Sequence, residues 1–241
     1  MNAYIDGNLK GAINRETVLE GLSKMGYWVE QIPTPLVPED ESLSNSIFYG
    51  NVGFIRKIVE RLEYKERWIG HVPEELYSLA NRNISLQPIG NIFKEKTPKF
   101  IKPTPDKNKS FDGFVYNANQ LDSLYVANYF ITGDELVITS DVVNFVSEWR
   151  CYICDGEILD AKHYKGNFRK FPDYSVAELV ISLWNDAPIA FSCDLGVDEF
   201  GSTSIVECND VMSLGMYGLS PLNAGMMLEK RWEEIHKNKS L

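Results

Sequence analysis

The sequence contains no apolar run approaching the roughly 18 residues that a membrane-spanning helix needs, so no membrane partner is expected. It has no internal repeat, no low-complexity tract and no Walker-type glycine–lysine loop, which excludes a P-loop as the means of holding phosphates. Histidine is scarce: His71, His163 and His236 stand apart, with no His-x-x-x-His pair to grip a metal from one helix face. His163 therefore reads as a packing or surface residue rather than a catalytic one. Cysteine is equally sparse, with Cys151, Cys154, Cys193 and Cys208 only. Cys151 and Cys154 form a C-x-x-C, but positions three apart on a strand face opposite sides, so neither zinc nor thioredoxin-like chemistry is expected of them. Met1 to Gly7 carries no basic leader followed by an apolar stretch. Together with the low cysteine count, this gives the expectation of reduced thiols and a cytoplasmic location. Positive charge is also in deficit, 24 Lys and Arg against 34 Asp and Glu, a net charge of −10. A protein whose main task is to wrap duplex nucleic acid needs the reverse balance. A small anionic ligand held by a few placed cations is still allowed.

What is present suits a globular α+β chain. The 241 residues, 44% of them hydrophobic, are enough to bury a core without disulfides or metal staples. Phe54, Ile55, Ile58, Val59 and Leu62 recur at helical spacing after Asn51, a good N-cap, which predicts a helix over 52–62. Pro73-Glu74-Glu75 opens a second, short helix, and Gln31 to Pro38 reads as an extended connector. Strands are expected at Leu136–Thr139, at Val142–Val146, and from Trp149 to Ile153, the last turning at Asp155-Gly156 into Glu157–Leu159. Ser175 to Trp184 predicts an amphipathic helix burying Val176, Leu179, Val180 and Leu183. A hairpin follows, Ile189–Asp194 and Thr203–Asn209 around the turn Glu199–Ser202, and a last helix runs from Pro221 to about His236.

Two features bear on chemistry. Between Lys94 and Lys109 six lysines face only Glu95 and Asp106, a local excess of four positive charges in an acidic chain. Phe100-Ile101-Lys102-Pro103 delivers one of these lysines at the end of a short apolar strand. Lys109-Ser110-Phe111-Asp112-Gly113 then forms a glycine-containing turn. A solvated basic loop explains these residues, and so does a phosphate site built without a P-loop. In the hairpin, Glu207 and Asn209 are two apart and share a face, while Val206 and Cys208 take the apolar side. Asp194 can lie opposite Glu207 only if the pairing is staggered or the sheet bends. Two carboxylates and an amide oxygen would suit Mg²⁺, and ordinary hairpin-end polar residues would look the same.

The ordered set Phe100-Ile-Lys102-Pro, Lys109-Ser-Phe-Asp-Gly113, Glu148-Trp149-Arg150, Asp194 and Glu207-Cys-Asn209 resembles the ATP-grasp superfamily. It is most similar to the subgroup named for two arginines and one lysine, and the tail from Asp210 through Tyr217-Gly218 to Arg231-Trp232 is similar to it too. The resemblance implies two α+β subdomains clasping ATP, with a short N-terminal α/β subdomain. The implied division is 1–95 on the substrate side, 96–143 as the small lid, and 144–241 as the large subdomain carrying the metal site. Lys102 would contact the α and β phosphates, with Lys109 and Gly113 in a loop over them. Ser140, Asp141 and Val143 would lie on the segment presenting backbone to adenine, and Asp194, Glu207 and Asn209 would hold Mg²⁺ or Mn²⁺. Arg150 would reach a phosphate or substrate carboxylate, and Arg169, or alternatively Arg231, would be the second arginine. Glu148 is expected on the strand face opposite Arg150 and therefore unpaired with it. The implied activity is an ATP-dependent carboxylate–amine or carboxylate–thiol ligase working through an acylphosphate, on small-molecule or peptide substrates. A non-catalytic nucleotide-binding adaptor and a small-molecule kinase are the rival readings.

Overall fold

A computed structural model describes residues 2–9, 11–33, 43, 45–64, 69–104, 111–117 and 133–238. The chain opens with β1 (Asn2–Asp6), buried from Ala3 onward as a strand covered on both faces must be. Helix α1 (Ala12–Lys24) carries the chain to β2 (Trp28–Ile32), parallel to β1, and β3 (Ile47–Tyr49) joins the other side of β1 in parallel. Helix α2 (Val52–Arg61) starts at the predicted cap: the Asn51 side chain accepts a hydrogen bond from the Phe54 N–H at 3.0 Å. Its apolar stripe, Phe54, Ile55, Ile58 and Val59, is buried as the spacing requires. Pro73 precedes a 3-10 turn at Glu74–Leu79, the short helix expected there.

A four-stranded antiparallel sheet follows. It has the order β5 (Ile84–Pro88), β8 (Leu136–Asp141), β6 (Lys99–Pro103) and β7 (Phe114–Tyr116), with a single helical turn, α3 (Ile89–Ile92), after β5. By its pairing with β8, β5 belongs to this sheet although it precedes residue 96. Ile89, Ile92, Ile101, Tyr116 and Val137 form the small core beneath it.

The larger sheet is antiparallel, in the order β10 (Glu157–Gly166), β9 (Phe145–Cys154), β11 (Ala190–Asp198), β12 (Thr203–Asp210) and β4 (Gly70–His71). Strand β9 is one ten-residue strand, so Phe145 and Val146 belong with Trp149–Ile153, and Val142–Asn144 links the two sheets unpaired. The Asp155-Gly156 turn has positive φ at both residues, 55° and 76°, the geometry whose twist fits a two-residue hairpin. Helix α4 (Ser175–Leu183) packs on this sheet through Ala177 and Val180 with Trp184 at its end. Leu179 and Leu183, expected to be buried, are 45% and 43% exposed. The edge-on contact of Trp184 with Phe191, ring centroids 5.0 Å apart, turns the helix so that the 177–180–184 stripe faces inward.

Helix α5 (Pro221–Asn238) returns to the first sheet. Trp232 donates from Nε1 to the Phe48 carbonyl at 2.8 Å and packs edge-on against the Phe48 ring. The core of the N-terminal sheet is thus completed by the C-terminal helix.

Candidate active site

The site is a row of side chains across three strands. Asp194 on β11 pairs directly with Arg150 on β9 and with Glu207 on β12. Its pairing with Glu207 depends on a bulge: Asp194 faces Glu207 while Leu195 faces Ile205, leaving Val206 as the extra residue on β12. The stagger that the hairpin spacing required is this bulge. Arg82, just ahead of β5, secures it. Its guanidinium donates to the carbonyls of Ala80 at 3.1 Å, Ile205 at 2.6 Å and Val206 at 2.8 Å.

Arg150 grips Asp194 with two parallel hydrogen bonds, Nε to Oδ1 and Nη2 to Oδ2, both 2.7 Å. Burial pushes the Asp194 carboxyl up to about 6, reinforced by the neighbouring Glu207 charge and opposed by Arg150. Glu207 goes the other way. Burial raises it, but the Lys102 ammonium, the Asn209 amide and Arg150 together outweigh burial and hold it below the usual carboxylate range. Lys102 Nζ lies 2.7 Å from Glu207 Oε2 and 2.6 Å from the Gly70 carbonyl, and Asn209 Nδ2 donates to Glu207 Oε1 at 3.0 Å.

Two tyrosines flank Arg150. Its guanidinium stands 5.6 Å from the Tyr164 ring centroid and 5.1 Å from that of Tyr217, and the two rings stack at 5.1 Å. Tyr217 sits at φ 44°, a left-handed conformation uncommon for a bulky residue. Its loop is tied down by the Tyr49 hydroxyl on the Leu214 carbonyl, the Tyr152 hydroxyl on the Gly215 and Met216 carbonyls, and the Met216 N–H on Asn14 Oδ1. Glu148 corrects the expectation made for it. Residues 148 and 150 are two apart, so both face the cleft. Glu148 still does not pair with Arg150; it accepts from the Tyr164 hydroxyl at 2.7 Å and from Lys165 Nζ at 2.5 Å.

Between this row and the four-stranded sheet lies a cavity of about 630 Å³. It brings together Lys102, Ser140, Asp141, Val143, Arg150, Asp194 and Glu207 of the expected residues. Asp141 is fixed by Lys99 Nζ at 2.7 Å and by the Asn83 N–H and Nδ2. Asn209 and Gly113 line an adjoining chamber of about 350 Å³, which shares Phe100, Lys102 and Glu207 with the first. Lys109 lies outside the described residues. Arg169 is not brought to the cleft: it is exposed in its loop, with its guanidinium against the neighbouring Phe168 ring. Arg231 is not there either, being buried on α5 in an ion pair with Asp210 at 2.9 Å. The reading from sequence missed Arg82, Tyr164 and Lys165, and placed Tyr217 only within a resembling tail. Nothing local marks Arg82, a polar residue between two asparagines; its role follows from a bulge 123 residues away.

The C-x-x-C behaves as strand geometry requires. Cys151 joins the core behind the large sheet and Cys154 the N-terminal core. His163 packs edge-on against Trp149 at 5.2 Å.

Residues 79–227, more than half of the chain, match the family model of an ATP-grasp domain, the second family of its clade. The chain belongs to the ATP-grasp superfamily. Solved structures of the same fold include a D-cycloserine synthetase, DcsG (TM-score 0.60, 16% identity, covering 96% of this chain and 99% of that one). The D-alanine–D-alanine ligase of Bacillus anthracis gives TM-score 0.55 at 11% identity over 99% of each chain. An N5-carboxyaminoimidazole ribonucleotide synthetase, purK, in its ADP complex gives 0.60 at 10% over 96% of this chain and 76% of that one. No curated protein sequence matches.

As an ATP-grasp protein the chain has a donor set that fits a divalent cation of the hard type. Asp194 and Glu207 are opposed carboxylates, and each Asp194 oxygen keeps a lone pair beyond the one given to Arg150. Among the described residues no group of three or more His, Cys, Asp and Glu side chains forms a metal cluster, so the third protein donor is the amide oxygen of Asn209.

Proposed function

We propose that this ATP-grasp protein is a Mg²⁺- and ATP-dependent ligase that joins a carboxylate to an amine, or to a thiol, through an acylphosphate. The observation that carries the reading is the row Arg150–Asp194–Glu207 with Lys102 reaching it from the opposite sheet, all facing one cavity. Mg²⁺ (or Mn²⁺) held by Asp194, Glu207 and Asn209 would draw charge off the transferring phosphoryl oxygens. Lys102, ion-paired with Glu207, is placed to exchange that carboxylate for nucleotide phosphate. Arg150, held in plane by Asp194 and two rings, presents a fixed guanidinium edge to a phosphate or carboxylate. Ser140, Asp141 and Val143 line the part of the cleft where adenine would lie, with Lys109 and Gly113 over the phosphates. Of the two arginines and one lysine of the subgroup, we assign Arg150, Lys102 and, in place of Arg169, Arg82.

The chemistry needs no nucleophilic side chain. A substrate carboxylate oxygen attacks the γ-phosphorus and ADP leaves. The amine nitrogen then attacks the acyl carbon and phosphate leaves with the bonding pair. The constellation of cations and oxygen donors suits this division of labour. Incubation with ATP, Mg²⁺ and panels of carboxylates and amines, read by mass spectrometry, tests it. A product equal to both substrates less one water supports the ligase. A singly phosphorylated product makes the protein a kinase, and tight ATP binding without turnover makes it an adaptor.

A further inference from the structure

The smaller chamber, about 350 Å³, is near the lower end of the volumes that hold small ligands, which excludes a peptide as its full occupant. Its walls differ in charge. Val52, the first residue of α2, and Arg56, one turn on, bring the positive end of a ten-residue helix and a guanidinium to one side. Glu207 and Asn209 form the other, and Gly70 between them leaves Asn209 Oδ1 uncovered: a Cβ there would sit 4.0 Å from it. Elsewhere on the wall Lys102 pairs with Glu207 and Asp210 with Arg231. Two buried hydroxyl oxygens, Thr104 Oγ1 and Ser213 Oγ, line the chamber with no hydrogen-bond partner among the described residues, and Thr104 is only 8% exposed. Buried polar atoms in folded proteins are nearly always satisfied, so two converging orphans mark a place for a polar ligand.

We infer that this chamber takes a small amino acid as the amine substrate. Its carboxylate lies between Arg56 and the first turn of α2, and its amine faces Asn209 and Glu207. Thr104 and Ser213 supply hydroxyls to its polar atoms. The amine nitrogen then stands at the edge of the metal-ligand row, beside the position of the acylphosphate. There it forms the C–N bond as the C–O bond to phosphate breaks; phosphate departs with the electron pair and the amine loses a proton to solvent. This assignment rests on the ligase reading for its chemistry but not for its binding.

Calorimetry on the full chain without nucleotide tests it. The probes are glycine, L- and D-alanine, L-serine and β-alanine, with ethylamine and propionate as controls lacking one charged end. At least one amino acid should bind saturably and at least tenfold more tightly than either control. Arg56→Ala should weaken that binding at least tenfold, Arg56→Lys should regain part of it, and Thr104→Val should weaken it in a protein with unchanged circular dichroism. No amino acid binding, equal binding of propionate, or wild-type affinity in both Arg56→Ala and Thr104→Val would overturn the assignment. Nucleotide binding is measured separately. A chain that holds an amino acid through Arg56 but no ATP refutes the ligase reading and leaves this one standing.

Discussion

At the scale of single residues, the Arg150–Asp194 pair is the most consequential contact. Both side chains are buried, Asp194 to 1% exposure, and a buried carboxylate stripped of its partner has no water to turn to. Arg150→Met should cost about 3–5 kcal/mol in urea unfolding, and adding Asp194→Asn should recover most of that loss. A single variant as stable as wild type would show that the carboxylate finds another partner. The cysteines make a second prediction. All four are buried, and burial pushes the Cys154 thiol up to about 11, with the nearby Asp155 charge adding to it. A thiol raised above its ordinary value of 9.0 favours the folded state in its protonated form. That contribution is complete below about pH 9 and is lost as pH climbs through about 11. Urea midpoints should therefore fall between pH 8 and about 10.5, by less in Cys154→Ala. Ellman's reagent at pH 8 should find almost no thiol in the native chain and all four in denaturant.

At the scale of elements, two junctions position the site. The β12 bulge at Val206 puts Glu207 opposite Asp194, and Arg82 is its positioning residue. Arg82→Ala removes three hydrogen bonds to carbonyls. We expect it to raise the Mg²⁺ concentration needed for ATP binding about tenfold or more, beyond a moderate loss of stability, because Glu207 slips from register. A melting-temperature loss with unchanged Mg²⁺ dependence would reduce Arg82 to a structural role. The second junction is the crossing of α1 and α5 at Gly21 and Gly225. A Cβ on Gly21 would fall 1.9 Å from the Pro221 carbonyl oxygen, which belongs to backbone and cannot swing aside. Gly21→Ala should destabilise the protein by about 1–3 kcal/mol or more in chemical denaturation, the cost of overpacking. These junctions explain what the sequence leaves legible. Helix α2, its Asn51 cap, the Asp155-Gly156 turn and the shared face of Glu207 and Asn209 follow from local periods and turn chemistry. The Arg82 contact and the rotation of α4 depend on partners far along the chain, and no local period carries that information. Glu148 was legible, since residues two apart share a strand face, and its assignment to the opposite face is a misreading of that rule.

At the scale of the whole molecule, the chain is closed at both ends. The N-terminal sheet keeps its core only with α5, through Trp232 on Phe48 and the Tyr27 hydroxyl on Glu229 Oε1 at 2.6 Å. The net charge of −10 says little about the ligand, because Lys102, Arg150 and Arg82 are concentrated where the two antiparallel sheets face each other. The order of lysine, arginine and acidic motifs along the chain was readable because each sits on its own strand; their convergence is a property of the two sheets. The central claim is that Asp194, Glu207 and Asn209 hold the metal that lets this clasp bind and use ATP. Its most direct test is isothermal titration of ATP into wild type and Glu207→Gln, with and without Mg²⁺. The account predicts Mg²⁺-dependent binding in the wild type and its loss by a factor of about a hundred or more in the variant, at nearly unchanged fold. Equal Mg²⁺-dependent binding by both proteins would contradict it.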